Sequence, residues 1–216
     1  MQRRHFIYKI IATATIFSTL GACEKKNTSS ATPVPAGATV IALGDSLTAG
    51  FGTTESNSYP TVLKSLTSWN VVNAGISGDK TTDVLARLPA LLEQHRPALV
   101  LTGIGGNDTL RRLPESATRA NIVNICQQIK ASGAQQMLIA MPQFSLIGAA
   151  AGMLSDNPMY KSIAEEMNIP LQEGAWARIL SDQSLRSDEI HANAQGYALF
   201  AELLVKSLRE ARLLNT

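Results

Sequence analysis

The chain has 216 residues, enough for one domain with short extensions. Its 45% apolar and 17% charged content suits a globular protein with a sizeable core. The formal charge of +2 comes from the N-terminus: removing Arg3, Arg4 and Lys9 from the 19 basic residues leaves 16 against 17 acidic ones. No basic patch supports a nucleic-acid function.

Arg3, Arg4 and Lys9 precede a short apolar stretch, Ile10 to Leu20, which ends at Leu20-Gly21-Ala22-Cys23. These are the three parts of an export signal. The stretch is shorter than the ~20 residues a membrane-spanning helix needs. Leu-Gly-Ala-Cys resembles the bacterial lipobox, which implies a lipoprotein signal peptide over 1–22 and a lipidated Cys23 as the mature first residue. The expected location is the bacterial cell envelope, exported, lipid-anchored and facing the periplasm. A cleaved secretory signal with an incidental cysteine is the alternative. The lipobox resemblance further implies that Glu24, rather than Asp, after the cysteine suits outer-membrane sorting in enteric-type bacteria, but the sequence leaves inner against outer membrane open. Residues 24–38, rich in Lys, Ser, Thr, Pro and Ala, have almost nothing to bury. They are expected to be a flexible tether reaching roughly 20 Å, with the folded domain over 39–216.

Strand and helix signals alternate from there. Thr39–Leu43 reads as a strand, Tyr59–Ser68 as a helix with Pro60 tolerable in its first turn, and Asn70–Asn73 as a second strand. Thr82–His95 is a helix that Pro89 should kink or split, since proline removes a backbone donor. Ala98–Thr102 is a third strand, Glu115–Ser132 a long helix with Gly133 as its C-cap, and Gln136–Met141 a fourth strand. Tyr160–Met167 reads as a helix, Ile169–Gln172 as a short fifth strand, and Ala194–Leu213 as a closing amphipathic helix. Cys126, the only thiol besides Cys23, falls on the apolar face of the long helix and is expected to be buried and inert, with no disulfide. This alternation predicts a three-layer αβα domain around a mostly parallel sheet of about five strands. Ligands in such sheets bind at the carboxyl ends of the strands.

Chemistry-bearing residues follow three of those strands. Ser46, in Gly44-Asp45-Ser46-Leu47, follows the first strand, Gly78 the second, and Asn107, in Gly105-Gly106-Asn107-Asp108, the third. A serine hydroxyl needs a neighbouring base to become a nucleophile. Of the three histidines, His5 lies in the signal and His95 ends a helix before Pro97, which leaves His191 in a polar loop. Asp188, three residues upstream, is placed to orient the imidazole. The N–H groups of Ser46 and Gly78 and the side-chain amide of Asn107 are candidate oxyanion donors. Taken singly, Gly-Gly-Asn-Asp is a good turn, Gly-Asp-Ser a good helix start, and Asp-x-x-His a helix cap with a solvated neighbour.

Together these blocks resemble the SGNH (GDSL) hydrolase superfamily, whose name spells them out, in its order and spacing over about 39–213. Ser58-Tyr59-Pro60 and the run Ala86-Arg87-Leu88-Pro89-Ala90-Leu91-Leu92 are similar to its periplasmic thioesterase/lysophospholipase/arylesterase branch. The resemblance implies a flavodoxin-like sheet and a carboxylic ester hydrolase with no cofactor and no metal; a monomer is expected, although the sequence itself does not fix the oligomeric state. Its substrates would be acyl, aryl or lysophospholipid esters, and thioesters. The Gly-x-Ser-x-Gly elbow of ordinary α/β-hydrolases is missing. Ala192 replaces the proline that commonly follows the histidine, and is expected to loosen that loop.

Two other readings stay open on sequence: an acetyl-esterase of cell-wall or extracellular polysaccharide, and a non-catalytic envelope lipoprotein. The apolar segment Gln143–Asn157 is either an acyl-pocket wall or flap, or a helix packed into the core or against the membrane. Arg87, Arg111 and Arg112 read as solvated.

Overall fold

A computed structural model describes residues 31–143, 148 and 152–215. The signal peptide, Cys23, the rest of the segment up to Ser30, and residues 144–147 and 149–151 of the apolar segment lie outside the described residues.

Five parallel strands build the sheet: β1 (Thr39–Gly44), β2 (Asn70–Gly75), β3 (Leu99–Gly103), β4 (Gln135–Ile139) and β5 (Leu171–Gln172). Their order is β2-β1-β3-β4-β5. β1 from Val40 onward and all of β3 are buried. Central strands of a parallel sheet are covered on both faces, so they read as unbroken apolar runs. β1, β2 and β3 end level, with Gly44 opposite both Gly75 and Gly103. The chain crosses from β1 to β2 in one direction and from β2 to β3 in the other, so the crevice at the carboxyl ends opens beside β1.

Eight helices are described: α1 (Ser46–Ala49), α2 (Tyr59–Leu66), α3 (Thr81–His95), α4 (Gly106–Leu110), α5 (Glu115–Ala131), α6 (Met159–Met167), α7 (Ala175–Ser181) and α8 (Ala194–Glu210). α2 and α7 pack on α8 in one layer, and α3 and α6 pack on α5 in the other. In the first layer Trp176 stacks on Phe200 with ring centroids 3.8 Å apart, and Tyr59 meets both edge-on. Such aromatic packing adds to the burial of large apolar surfaces.

The expected elements are present with shifted ends. Pro89 does not split α3, which runs unbroken from Thr81 to His95. The proline is exposed, so the carbonyl one turn earlier can be met by water. α8 stops at Glu210 because Arg212 turns left-handed (φ 61°) and Leu213 N–H folds back onto Leu208 O at 2.8 Å. Gly133, at φ 83°, ends α5 as expected. Cys126 is buried, and burial pushes its thiol up to about 12. α7 has no counterpart in the sequence reading.

The tether expected over 24–38 is corrected in its second half. Val34 is 3% exposed and packs into the core, its N–H donating to Leu213 O at 2.8 Å. Its carbonyl accepts from the Trp69 indole at 3.2 Å, and the Gln135 side chain both donates to and accepts from the Thr32 backbone. One apolar side chain and a set of backbone hydrogen bonds anchor a segment whose composition reads as linker. Replacing Val34 by Ala should cost about 1.5–3 kcal/mol and lower Tm by several degrees. A thermal melt unchanged within one degree would show that the segment is a tether after all.

Candidate active site

The Gly-Asp-Ser block leaves β1 through a tight turn. Asp45 caps α1, its Oδ1 accepting from Leu47 N at 3.1 Å. The cap lies inside the core at 2% exposure, and desolvation pushes its carboxyl up to about 7, with the charges of Asp79 and Asp108 adding to the rise. The turn leaves Ser46 as the first residue of α1, at the mouth of the crevice. The opening N–H groups of a helix lack partners within it.

His191 reaches this serine from the far end of the chain. Its Nε2 lies 3.0 Å from Ser46 Oγ, and its Nδ1 lies 2.7 Å from Asp188 Oδ2. Asp188 Oδ1 also accepts from the backbone N–H of Ile190 and His191, at 2.9 and 2.8 Å. That turn is why a spacing of three suffices: the carboxylate folds over its own loop and meets the ring. Partial burial works to raise the Asp188 carboxyl, but the hydrogen bond from His191, the two backbone donors and the imidazole's charge hold it below its ordinary value.

The loop carrying His191 is tied to its surroundings by backbone and side-chain hydrogen bonds. Ala192 is fully buried and bridges to Arg186. Ser187 N–H donates to His191 O at 3.0 Å. Asn193 caps α8 through Gly196 N–H while its amide donates to Ser184 O at 2.8 Å. On the outside the Phe51 ring packs against the imidazole, with centroids 4.4 Å apart.

The second and third blocks converge on the same spot. Gly78 has φ 88°, a conformation that favours glycine, and it lines the cavity with Ser46 and Asn107. One hydrogen of the Asn107 amide is held by Asp79 O at 3.0 Å, leaving the other for the cavity. Behind them, buried Asp108 accepts from both Thr81 N at 3.0 Å and Thr81 Oγ at 2.6 Å, tying the Asn107 loop to the start of α3. Asn121 in turn donates to that threonine hydroxyl at 2.9 Å.

The solvated reading of the arginines fails for Arg87. It donates from Nε to Asp79 Oδ2 at 2.8 Å and from Nη2 to Gly44 O at 3.0 Å, clamping the first block to the second. Arg111 is exposed and its guanidinium reaches Gly78 O at 3.4 Å. Arg112 is exposed. Asp79, Thr81, Arg87, Asp108 and Phe51 were not singled out from the sequence as parts of the site. Asp108 carried a usable signal, being a second polar residue, and the only acidic one, in a block whose turn needs only one polar side chain.

The cavity holds about 290 Å³. Leu47, Phe51, Leu110, Met141 and Ile190 give it an apolar wall beside Ser46 and His191. Of the apolar segment, the described residues do not line it. Met153 is 74% exposed, and the ends are pinned by Gln143 N–H to Ser155 O and Leu154 N–H to Ser181 Oγ, both at 2.9 Å. Among the described residues no group of His, Cys, Asp and Glu side chains is placed to hold a metal ion.

Residues 42–199 match the model of the GDSL-like lipase/acylhydrolase family. The chain is 35% identical over 174 residues to thioesterase 1/protease 1/lysophospholipase L1 of Escherichia coli strain K12, covering 79% of this chain and 83% of that protein. It is 31% identical over 177 residues to an arylesterase of Vibrio mimicus, covering 78% and 87%. Among solved structures, TesA superposes with a TM-score of 0.71 at 28% identity, covering 80% of this chain and 99% of that one. The esterase EstA of Pseudoalteromonas sp. does so with a TM-score of 0.69 at 25% identity, covering 80% and 97%. On its strand-end motifs, its three-layer fold and these similarities, the chain belongs to the GDSL-like lipase/acylhydrolase family and is a carboxylic ester hydrolase.

Proposed function

We propose that the chain hydrolyses acyl and aryl esters, and thioesters, through an acyl-enzyme on Ser46, as an envelope lipoprotein anchored through Cys23. The observation that carries the chemistry is the unbroken line Asp188–His191–Ser46, with bonds of 2.7 and 3.0 Å opening onto an apolar cavity. His191 Nε2 takes the hydroxyl proton as Ser46 Oγ attacks the ester carbonyl, and Asp188 stabilises the imidazolium that results. The Ser46 and Gly78 N–H groups and the Asn107 amide receive the developing oxyanion. Each such donor is worth ~10²–10³ in rate. The imidazolium then protonates the departing alkoxide or thiolate. A water activated by the same His191 releases the acid and restores the serine.

The apolar wall favours an acyl chain over a bare acetyl group. This sets the reading apart from polysaccharide deacetylation. The names of the relatives, thioesterase, lysophospholipase and arylesterase, point the same way. The positive residues, the short apolar stretch and Leu20-Gly21-Ala22-Cys23 support the anchor. No helix among the described residues is long and apolar enough to cross a membrane.

On p-nitrophenyl esters, kcat/KM should rise about fourfold per methylene from acetyl upward, since each buried CH₂ is worth ~0.8 kcal/mol, until the cavity is full. Ser46→Ala should lower kcat by about 10⁵–10⁶-fold with an unchanged melt. A flat or falling profile confined to acetyl would return the deacetylase reading, and a fully active Ser46→Ala would end the mechanism.

Asp108 tests the positioning of the oxyanion donors. Asp108→Ala leaves Thr81 N–H buried without its acceptor and frees the Asn107 loop. Since a displacement of 1 Å can cost ~10²-fold, kcat should fall by about that factor while KM stays within twofold. A variant that melts earlier yet keeps full kcat would confine Asp108 to stability.

A further inference from the structure

We propose that the amino-terminal edge of the sheet is the surface this enzyme lays on an anionic phospholipid bilayer, with the active-site mouth turned away from the membrane that holds it. The inference rests on the Cys23 anchor proposed above.

The first observation is the path of the leader. Thr32 is bonded to Gln135 at the start of β4, Val34 to Leu213 beyond the end of α8, and Gly37 to Ser68 just before β2. The chain therefore enters the domain across the amino ends of the strands, opposite the edge that carries Ser46. Seven residues, 24–30, join Cys23 to Ala31, and the eight steps between the two reach at most about 28 Å when fully extended. α5 alone, 17 residues long, measures about 25 Å. The spacer can span the height of the domain only by lying taut along its side, and has nothing left to set the mouth on the bilayer.

The second observation is charge. In a parallel α/β fold the helices return against the strands, so their C-termini collect at the amino edge. There the helix dipole favours cations. Lys64, Arg96, Lys130, Arg209 and Arg212 are exposed at the ends of α2, α3, α5 and α8. Against them stand Glu93, Glu165, Glu166 and Glu210, of which Glu166 pairs with Arg119 and Glu210 with Lys206. At the other edge exposed carboxylates are frequent, Glu55, Glu115, Asp188 and Glu189 among them, against the exposed bases Arg111, Arg112 and, in the first turn of α6, Lys161. An anionic leaflet attracts basic surface within a Debye length and repels the acidic edge. The consequence is a substrate class: esters dissolved in the compartment or presented by a surface opposite the anchor, ahead of lipids in the enzyme's own leaflet.

The competing surface is the mouth itself, where Phe51, Ile76, Leu110 and Leu113 are exposed. The two are separated by dyes at the two ends of one helix. Ser116→Cys and Ala131→Cys place single exposed thiols at the start and the end of α5, while Cys126 stays buried and unreactive. Each full-length variant, made with its own signal and weighed intact for lipid on Cys23, goes into vesicles of phosphatidylethanolamine and phosphatidylglycerol (3:1) carrying nitroxide-headgroup lipid. The dye on the Ala131→Cys variant should be quenched at least fivefold more than that on the Ser116→Cys variant. The contrast should shrink in pure phosphatidylcholine. Equal quenching, or stronger quenching of the Ser116→Cys dye, overturns the orientation. A mature chain whose mass shows no lipid at Cys23 overturns the anchor and the orientation with it, and the mass identifies which step failed.

Discussion

Three strands that stop at the same height make this site possible. Gly75, Gly44 and Gly103 form one row across β2, β1 and β3, and the loops that leave this row carry Gly78, Ser46 and Asn107. The row is a packing constraint as much as a register. A side chain at Gly44 would place its Cβ 2.2 Å from Thr48 Oγ1 and 2.4 Å from Gly103 O. Real contacts never come so close, so α1 could not fold back over the strand end. Without that fold the serine would not meet a histidine delivered from the opposite end of the chain.

Polar contacts then hold what the sheet brings together. Arg87 joins Gly44 O to Asp79, Asp79 O holds the Asn107 amide, and Asp108 holds the start of α3. These bonds are partly or wholly buried, where an unmade hydrogen bond costs more than a made one gains. A catalytic geometry built this way is preorganised, since the donors are fixed before an ester arrives and need no reorganisation as charge develops. The His191 loop follows the same logic from the other side, with Asp188 accepting from its own turn and Asn193 closing the turn onto α8.

Much of this was legible in the sequence for physical reasons. Buried parallel strands are unbroken apolar runs, so β1 and β3 declare themselves. His191 follows by elimination among three histidines, and glycines beside Ser46 and Asn107 signal close approach. The clamp of Arg87 on Asp79 was not legible, because it joins residues eight apart through a third partner on β1, and nothing in a helical arginine distinguishes a clamp from a solvated side chain. Phe51 reads as a stray apolar residue until the fold sets it on His191. α7 has seven residues behind Gly174, which offers no side-chain cap, and five of them are apolar and buried, so the run is too short and too uniformly apolar to show a helical period. The leader over residues 32–38 is ordered by backbone bonds and one valine, and composition records neither.

The central claim is that Ser46 carries the acyl group between two half-reactions. The most direct measurement is intact-mass analysis of the chain, acid-quenched during steady-state turnover of a p-nitrophenyl ester, followed by mapping of the adduct. The account predicts one added acyl group on the peptide that contains Ser46, formed in a burst of about one p-nitrophenolate per chain. Steady turnover with no burst and no adduct, or an adduct on another residue, would contradict it.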